Sequence, residues 1–241
     1  MPVRAAALAL CTLLIAADGS PEPERVAAAR LRVGPRLART LENAGVPRPR
    51  ALLLRVFKAE QVLEVWAAAS PDGPFAHVVD HAVTASSGGP GPKARRLDGQ
   101  VPEGLYRVTR LNPWSNFHLS LGLDYPNAAD QARNPGVPLS ALGGDIFIHG
   151  NRVTIGCIPI GDVAIEEVYL AALDVRGRGG AVSVLVLPAR PGTPQWVAMM
   201  KDPSPATASL WRSLEHISGY LDGNGRLPRV RPGSYGAYLV E

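Results

Sequence analysis

The sequence has little cysteine. Its 241 residues include two, Cys11 and Cys157. Residues 1–19 combine the basic Arg4 with about a dozen apolar residues and small residues before a cleavage point, which is the layout of a secretory signal peptide. We expect this segment to be removed, so that Cys157 remains as the lone thiol and an intrachain disulfide is excluded. A single cysteine in an exported chain is either a buried apolar residue or a reactive group.

Long apolar runs and concentrated charge are also scarce. The apolar part of residues 1–19 is too short for a permanent anchor, so no stable membrane insertion is expected after signal removal. Lipidation of Cys11 is the lesser alternative, because Leu10 is larger than the residue that normally precedes a lipidated cysteine. The formal charge is +4, but Lys and Arg are scattered and form no basic stripe with stacking aromatics. This distribution argues against a nucleic-acid partner.

The composition, with 46% hydrophobic and 19% charged residues, is that of one globular domain with added ends. Residues 20–48 show helical spacing, broken at Gly34-Pro35, and predict a helical lead-in that is kinked or split. Residues 49–190 hold short runs of Val, Ile, Leu and aromatics between turn residues, which predict strands. Residues 191–241 are predicted to form a C-terminal helical extension, with a helix at 207–221.

The predicted strands are residues 52–57, 62–68, 75–85, 104–110, 145–149 and 182–187, of which the first two form a hairpin. This pattern predicts a mainly β fold with flanking helices, either a largely antiparallel sheet or a sandwich. One helix interrupts the strands, with Asp162 as its N-cap. Glu166 and Glu167 on this helix predict a polar face, because adjacent helical residues point in different directions and do not form a catalytic carboxylate pair.

The segment HGNRVTIGC, from His149 to Cys157, contains the clearest candidates for catalytic residues. The preceding DIFIH alternates as a strand, so Ile146 and Ile148 should face one side, with Phe147 and His149 on the other. The seven residues between His149 and Cys157 allow a tight loop or hairpin that returns the chain beside this strand.

An imidazole close to a thiol can take its proton, and the thiolate can attack a carbonyl to form a thioester. Gly156 permits a sharp turn that would direct its own amide and that of Cys157 at a developing oxyanion. Judged from the spacing of His149 and Cys157 alone, a buried and unreactive Cys157 is more common than a catalytic one.

Several motifs together resemble a known family. The segment IFIHGNRVTIGCIPIGDVAIEEVY resembles the active-site segment of the L,D-transpeptidase (YkuD) catalytic domain, in particular its YafK-like branch. Residues 91–133 add, in the same order, a Gly-Pro-Lys, a Pro-Glu-Gly, an Asn-Pro-x-Ser and a Tyr-Pro-Asn motif. The likeness covers residues 50 to 190.

The resemblance implies a β-sandwich cysteine acyltransferase that works on diaminopimelate-containing peptidoglycan stem peptides without cofactor or metal. Cys157 would be the nucleophile and His149 the general base, with the Gly150 carbonyl orienting the imidazole. The amides of Gly156 and Cys157 would form the oxyanion hole. Ile155 departs from the wider family, which has a second His there. This departure leaves open whether the thioester passes to an amine or to water.

Five side chains outside this segment are also predicted to contact the stem peptide, with a purely structural role as the alternative for each: Lys93, Ser115, Asn116, His118 and Tyr125. A zinc site is a weaker hypothesis. His77 and His81 are four apart and would share one face of a strand, but no third ligand accompanies them.

The sequence therefore predicts an exported, peptidoglycan-modifying cysteine acyltransferase of the L,D-transpeptidase type, in the periplasm or cell envelope. One alternative is a hydrolase of the same fold, an amidase or L,D-carboxypeptidase that releases a wall-linked peptide or lipoprotein. Two others are a catalytically silent wall-binding module and, more remotely, a zinc hydrolase.

Overall fold

The computed structural model describes residues 22–241, so the predicted signal peptide and Cys11 lie outside the described residues. The helices are α1 (Glu24–Asn43), α2 (Ala128–Arg133), α3 (Leu139–Leu142), α4 (Asp162–Gly177), α5 (Pro194–Met199) and α6 (Pro205–Asn224). The strands are β1 (Ala51–Phe57), β2 (Val62–Ala68), β3 (Ala76–Ala82), β4 (Gly104–Asn112), β5 (Ser120–Leu123), β6 (Phe147–His149), β7 (Ile158–Pro159), β8 (Ala181–Leu187), β9 (Val230–Pro232) and β10 (Tyr238–Val240). Within this part of the chain, no helix has the length and apolar character needed to cross a membrane.

Eight strands form one sheet in the order β3-β2-β1-β8-β4-β5-β6-β7, and β9 and β10 pair separately. The β1–β8 and β6–β7 pairs are parallel, whereas the other pairs are antiparallel. The predicted fold class, a β-sheet with flanking helices, is confirmed, and the hairpin of β1 and β2 is present. The sheet is more mixed than expected, because the chain returns through α4 to place β8 parallel to β1.

Both faces of the sheet are covered by helices. The central strand β1 is buried along its whole length, which explains its nearly continuous apolar sequence. Leu52 and Leu54 pack in a core shared with α1 and α4, whereas Leu53 and Phe57 pack in a second core with α6. The C-terminal extension therefore covers one face of the sheet, and the lead-in helix covers the opposite face.

Helix α1 runs unbroken through Pro35, so the alternative of two separate helices divided at Gly34-Pro35 is wrong. Pro35 cannot donate a hydrogen bond to the carbonyl of Leu31. Leu31 is 77% exposed, where water can satisfy that carbonyl. Packing of Val26 and Val33 in the core holds the helix together across the proline.

Helix α4 departs from two expectations. Its N-cap is Gly161, and the Asp162 carboxylate instead accepts a hydrogen bond of 2.7 Å from the Asn151 amide. Glu166 and Glu167 do not form a polar surface: they are 1% and 7% exposed. The prediction was wrong because α1 packs over this part of α4 and supplies arginines that pair with both carboxylates.

A buried charge network ties α6 to the sheet. Arg55 on β1 donates to the Glu64 carboxylate on β2 at 2.7 Å and to Asp222 on α6 at 2.7 Å. Arg190 and Trp66 donate to Glu64 as well. Burial acts to raise the pKa of this carboxylate, but the hydrogen bonds from Arg190 and Trp66 and the charge of Arg55 lower it below its ordinary value.

Replacing Glu64 with Leu should destabilise the fold strongly, because it leaves the buried Arg55 without its main partner. We expect a loss of about 3–5 kcal/mol in the free energy of unfolding, measured by denaturant titration. Glu42→Leu, at an exposed position of α1, is the control and should change the value little. A loss for Glu64→Leu no larger than for the control would contradict this role of the network.

Candidate active site

The segment from His149 to Cys157 connects two short strands at the end of the sheet. Strands β6 and β7 run parallel, with Ile148 opposite Ile158, so Cys157 comes immediately before β7. The segment returns beside the outgoing strand as expected, but it is a loop and not a hairpin. The parallel pairing is possible because residues of positive φ turn the chain at both ends of the loop, Asn151 at +63° and Gly156 at +97°.

His149 and Cys157 line the same cleft, which has a volume of about 300 Å³. The predicted alternation of DIFIH is confirmed: Ile146 and Ile148 are buried in the core, whereas Phe147 and His149 line the cleft. Its other lining residues are Asn112, Trp114, Ser115, Asn116, Phe117, Ser120 and Asp145.

The His149 imidazole is held in one tautomer. Its Nδ1 lies 2.6 Å from the Gly150 carbonyl oxygen, and because a carbonyl can only accept, Nδ1 carries the proton. The lone pair of a neutral ring is then on Nε2. Burial lowers the pKa of His149, with the hydrogen bond to Gly150 acting in the opposite direction. The ring is therefore neutral near pH 7 and available as a base.

The Cys157 thiol is also neutral at rest. Burial raises its pKa, and this effect outweighs the hydrogen bond with the Phe147 backbone, which lowers it; the charges of Asp145 and Lys93 have smaller effects that raise and lower it, respectively. The thiol donates to the Asp145 carbonyl at 3.6 Å. A thiol of raised pKa and an imidazole of lowered pKa in the same cleft favour the neutral pair over a thiolate–imidazolium pair.

The two amides that the sequence assigned to an oxyanion hole have partners in the structure. Gly156 donates to the Ser87 hydroxyl at 2.7 Å, and Cys157 donates to the Thr154 hydroxyl at 2.8 Å. A substrate oxygen would have to replace these hydroxyl groups to use the amides. Ser87 and Thr154 were not singled out from the sequence, since nothing in their local pattern marks them.

Gly150 lies in a tight space between the strand and its neighbours. A Cβ atom there would come 2.5 Å from the Asp162 carboxylate and 2.8 Å from the Phe117 carbonyl oxygen. The Phe117 ring in turn packs on the His149 ring, with 4.8 Å between centroids. Glycine at position 150 thus allows the Phe117 segment to approach the imidazole closely.

Of the side chains predicted to contact substrate, Ser115 and Asn116 line the cleft. Two aromatic neighbours that the sequence reasoning missed line it too: Trp114 and Phe117, which are 75% and 41% exposed. These two aromatic residues could have been identified from the motif NPWSNF, in which large apolar residues alternate with turn-forming polar residues.

The other three predicted contacts lie outside the cleft. The Lys93 ammonium is 2.6 Å from the Asp98 carboxylate, and this ion pair stabilises the loop that contains both residues. Burial acts to raise the pKa of Asp98, but hydrogen bonds from Lys93 and from backbone amides lower it to about 2. Tyr125 is buried and donates to the Leu142 carbonyl. His118 points to α4, where its Nε2 lies 2.7 Å from the Glu166 carboxylate.

The zinc hypothesis is wrong for the described residues, among which no group of three or more His, Cys, Asp or Glu is arranged to hold a metal. A bulge between β2 and β3 shifts the register beside Trp66, so the even spacing of His77 and His81 does not put them together. His77 packs on Trp66, whereas His81 faces Glu167. Burial and the charge of Arg36 lower the pKa of His81.

Part of the chain is similar to known proteins. The chain is 30% identical over 118 residues to the Escherichia coli K12 protein named "Putative L,D-transpeptidase YafK", and equally to that of strain O157:H7. Over that segment the chain is similar to YafK. The match covers 48% of the chain and 45% of the relative, so the chain spans about half the length of the curated relatives it matches. The resemblance identified from the sequence motifs is confirmed.

No protein-family model matches the chain. Among solved structures, the helical cell shape determining protein Pgp2 of Campylobacter jejuni is similar with a TM-score of 0.46 and 19% identity, covering 72% of this chain and 58% of that one. L,D-transpeptidase 1 of Mycobacterium tuberculosis is similar with a TM-score of 0.31 and 12% identity, covering 56% and 61%.

The neutral state of the cleft predicts how Cys157 reacts with iodoacetamide. The alkylation rate at Cys157, followed by peptide mass spectrometry, should rise with pH to a midpoint above that of an ordinary thiol, about 8.5. N-acetylcysteine under the same conditions gives the reference curve. A midpoint below about 7 would instead indicate a thiolate–imidazolium pair.

Gly150→Ala should destabilise the protein, because the added Cβ meets the Asp162 carboxylate and the Phe117 carbonyl. The expected loss in the free energy of unfolding is about 1–3 kcal/mol by denaturant titration. The matched control is Gly144→Ala, since a Cβ there has no neighbour within 4 Å. Equal effects of the two substitutions would show that the close packing at Gly150 is unimportant.

Proposed function

We propose that this protein is a peptidoglycan-modifying cysteine acyltransferase of the L,D-transpeptidase type, with Cys157 as nucleophile and His149 as general base. The observation that carries the proposal is the geometry of the cleft. It is lined by one thiol and by one imidazole whose tautomer leaves Nε2 as a base. The homology to YafK over half of the chain supports the reaction class.

In the first step, a stem peptide with a diaminopimelate residue places its scissile carbonyl over Cys157. The thiol leaves the Asp145 carbonyl, His149 Nε2 takes its proton, and the sulfur attacks the carbonyl carbon. The amide bond to the leaving residue then breaks. The imidazolium returns the proton to the departing amine, so that a thioester and a free amine result.

The second step removes the acyl group. An acceptor amine attacks the thioester and His149 takes a proton from it. The C–S bond then breaks and the imidazolium returns that proton to the departing sulfur, so that a cross-link and the neutral thiol result. Water can replace the amine, and the product is then a shortened peptide. This is the amidase or L,D-carboxypeptidase alternative, which would also serve to release a wall-linked lipoprotein.

The neutral resting pair fits this sequence of events. Since burial disfavours a free thiolate at Cys157, the proton moves only when a carbonyl is in position to react. The thiol is thereby protected from oxidation between turnovers, because the thiolate is the form that oxidants attack. Such protection is useful in the oxidising compartment that the signal-like residues 1–19 predict.

The substrate would lie along the segment from Trp114 to Phe117. Ser115 and Asn116 offer hydrogen bonds to peptide groups, and the exposed Trp114 ring offers an apolar surface at the mouth of the cleft. Lys93 and Tyr125 contribute only indirectly, since both are committed to structural hydrogen bonds.

The test is incubation of the purified protein with muropeptides carrying diaminopimelate, with and without a D-amino acid as acceptor amine. Wild-type protein should release the terminal residue and, with acceptor present, give a product whose mass includes that amine. Cys157→Ala should lower turnover by at least about 10³-fold while keeping the wild-type unfolding midpoint.

The product masses decide between the alternatives. A hydrolysed product even at high acceptor concentration would assign the hydrolase reaction to the same site. Binding to sacculi with no product of either kind would support a silent wall-binding module. Full activity of Cys157→Ala would refute the proposal.

A further inference from the structure

The segment from Ser115 to His118 forms one wall of the cleft and is held from behind by two helices. Four side chains make the attachment: Arg25 and Arg32 on α1, Glu166 on α4, and His118 itself, and together they are called the helix clamp. We propose that the helix clamp is a positioning device that holds Phe117 against His149, and thereby the imidazole in its catalytic orientation. This inference rests on the proposed function for the role of His149.

The backbone at His118 sets the arrangement. Its φ of +73° lies in the left-handed region, which a residue other than glycine adopts only when its surroundings hold it there. The turn sends two consecutive side chains to opposite sides. Phe117 lines the cleft and packs on His149, whereas His118 enters the space between α1 and α4.

The His118 side chain is anchored by a buried carboxylate. Oε1 of Glu166 lies 2.7 Å from His118 Nε2 and 3.1 Å from a guanidinium nitrogen of Arg32. Only 1% of the Glu166 side chain is exposed, so this charge depends on its partners for stabilisation. A histidine predicted to bind substrate is therefore bound to the scaffold instead.

Arg25 fixes the backbone of the same segment. Its guanidinium donates to the carbonyl oxygen of Ser115 at 2.8 Å and also to the carbonyl oxygen of His118. These two carbonyls are at the ends of the segment that carries Phe117. The lead-in helix thus contacts the wall of the cleft directly, although it is about 90 residues away in sequence.

A displacement of the cleft wall would be transmitted to His149 through direct contacts. The Phe117 ring lies on the imidazole, and the Phe117 carbonyl and the His118 Cβ border Gly150, whose own carbonyl orients Nδ1 of His149. Loosening the helix clamp therefore loosens both groups that set the direction of Nε2. The expected result is a slower chemical step with little change in substrate binding.

The experiment compares Glu166→Ala with wild-type protein by two measurements. The first is the proton NMR signal of the His149 ring, which the stacked Phe117 ring should shift upfield, assigned by its loss in His149→Gln. In Glu166→Ala the upfield shift should largely disappear. The second is turnover of muropeptides, in which kcat should fall about tenfold to a hundredfold while KM changes less than about twofold.

Two variants serve as controls. Glu166→Gln keeps the shape and an acceptor oxygen for His118, so it should retain most of the upfield shift and of kcat. Glu167→Ala removes the neighbouring buried carboxylate, which pairs with Arg36 and not with the cleft wall. It should cost comparable stability but leave the His149 signal in place.

Arg25→Ala tests the same clamp at an exposed contact, and it replaces Glu166→Ala if that variant does not fold. An unchanged His149 signal and an unchanged kcat in a folded clamp variant would overturn the inference. An equal loss of signal in Glu167→Ala would overturn it too, since the effect would then be general destabilisation. If the wild-type protein turns over no muropeptide, the proposed function fails, but the NMR comparison still decides whether the clamp positions His149.

Discussion

The hydrogen bond from Nδ1 of His149 to the Gly150 carbonyl is the interaction on which the site depends. It makes Nε2 the basic atom of the ring, and it needs a residue at position 150 that leaves room for the Phe117 segment. Burial of the ring and of the Cys157 thiol then moves the two pKa values apart, so both groups rest uncharged. In the proposed reaction, a neutral pair of this kind would act only when a substrate carbonyl arrives, and it would not expose a thiolate in between.

The surrounding fold supports this site through buried charge on both faces of the sheet. On one face, Arg55 and Glu64 connect the central strands to α6. On the other, Glu166 and Glu167 connect α4 to α1, and Glu166 also connects α4 to the cleft wall through His118. The segments before and after the sheet therefore pack on it through specific ion pairs as well as apolar contacts. Such pairs are costly to break because at least one partner of each pair is buried.

Local sequence patterns correctly predicted those features of the structure that depend on local interactions alone. The alternation of DIFIH gave the correct face for His149, because a strand side chain alternates regardless of its neighbours. The same argument failed for His77 and His81, since a bulge depends on the partner strand. The burial of Glu166 could not be predicted either, because its partners come from α1. The orientation of His118, which was predicted to bind substrate, could not be predicted for the same reason. The side to which it points depends on a left-handed backbone conformation that tertiary contacts impose.

The central claim is that Cys157 forms a thioester with the substrate acyl group. Intact-protein mass spectrometry during incubation with a diaminopimelate-containing tetrapeptide, quenched in acid, tests it most directly. If the thioester forms, the protein gains a mass equal to the tetrapeptide minus its terminal amino acid, located at Cys157. The added mass should be lost on treatment with hydroxylamine and should be missing in Cys157→Ala. Product formation without any adduct at Cys157, or an adduct that persists in Cys157→Ala, would contradict it.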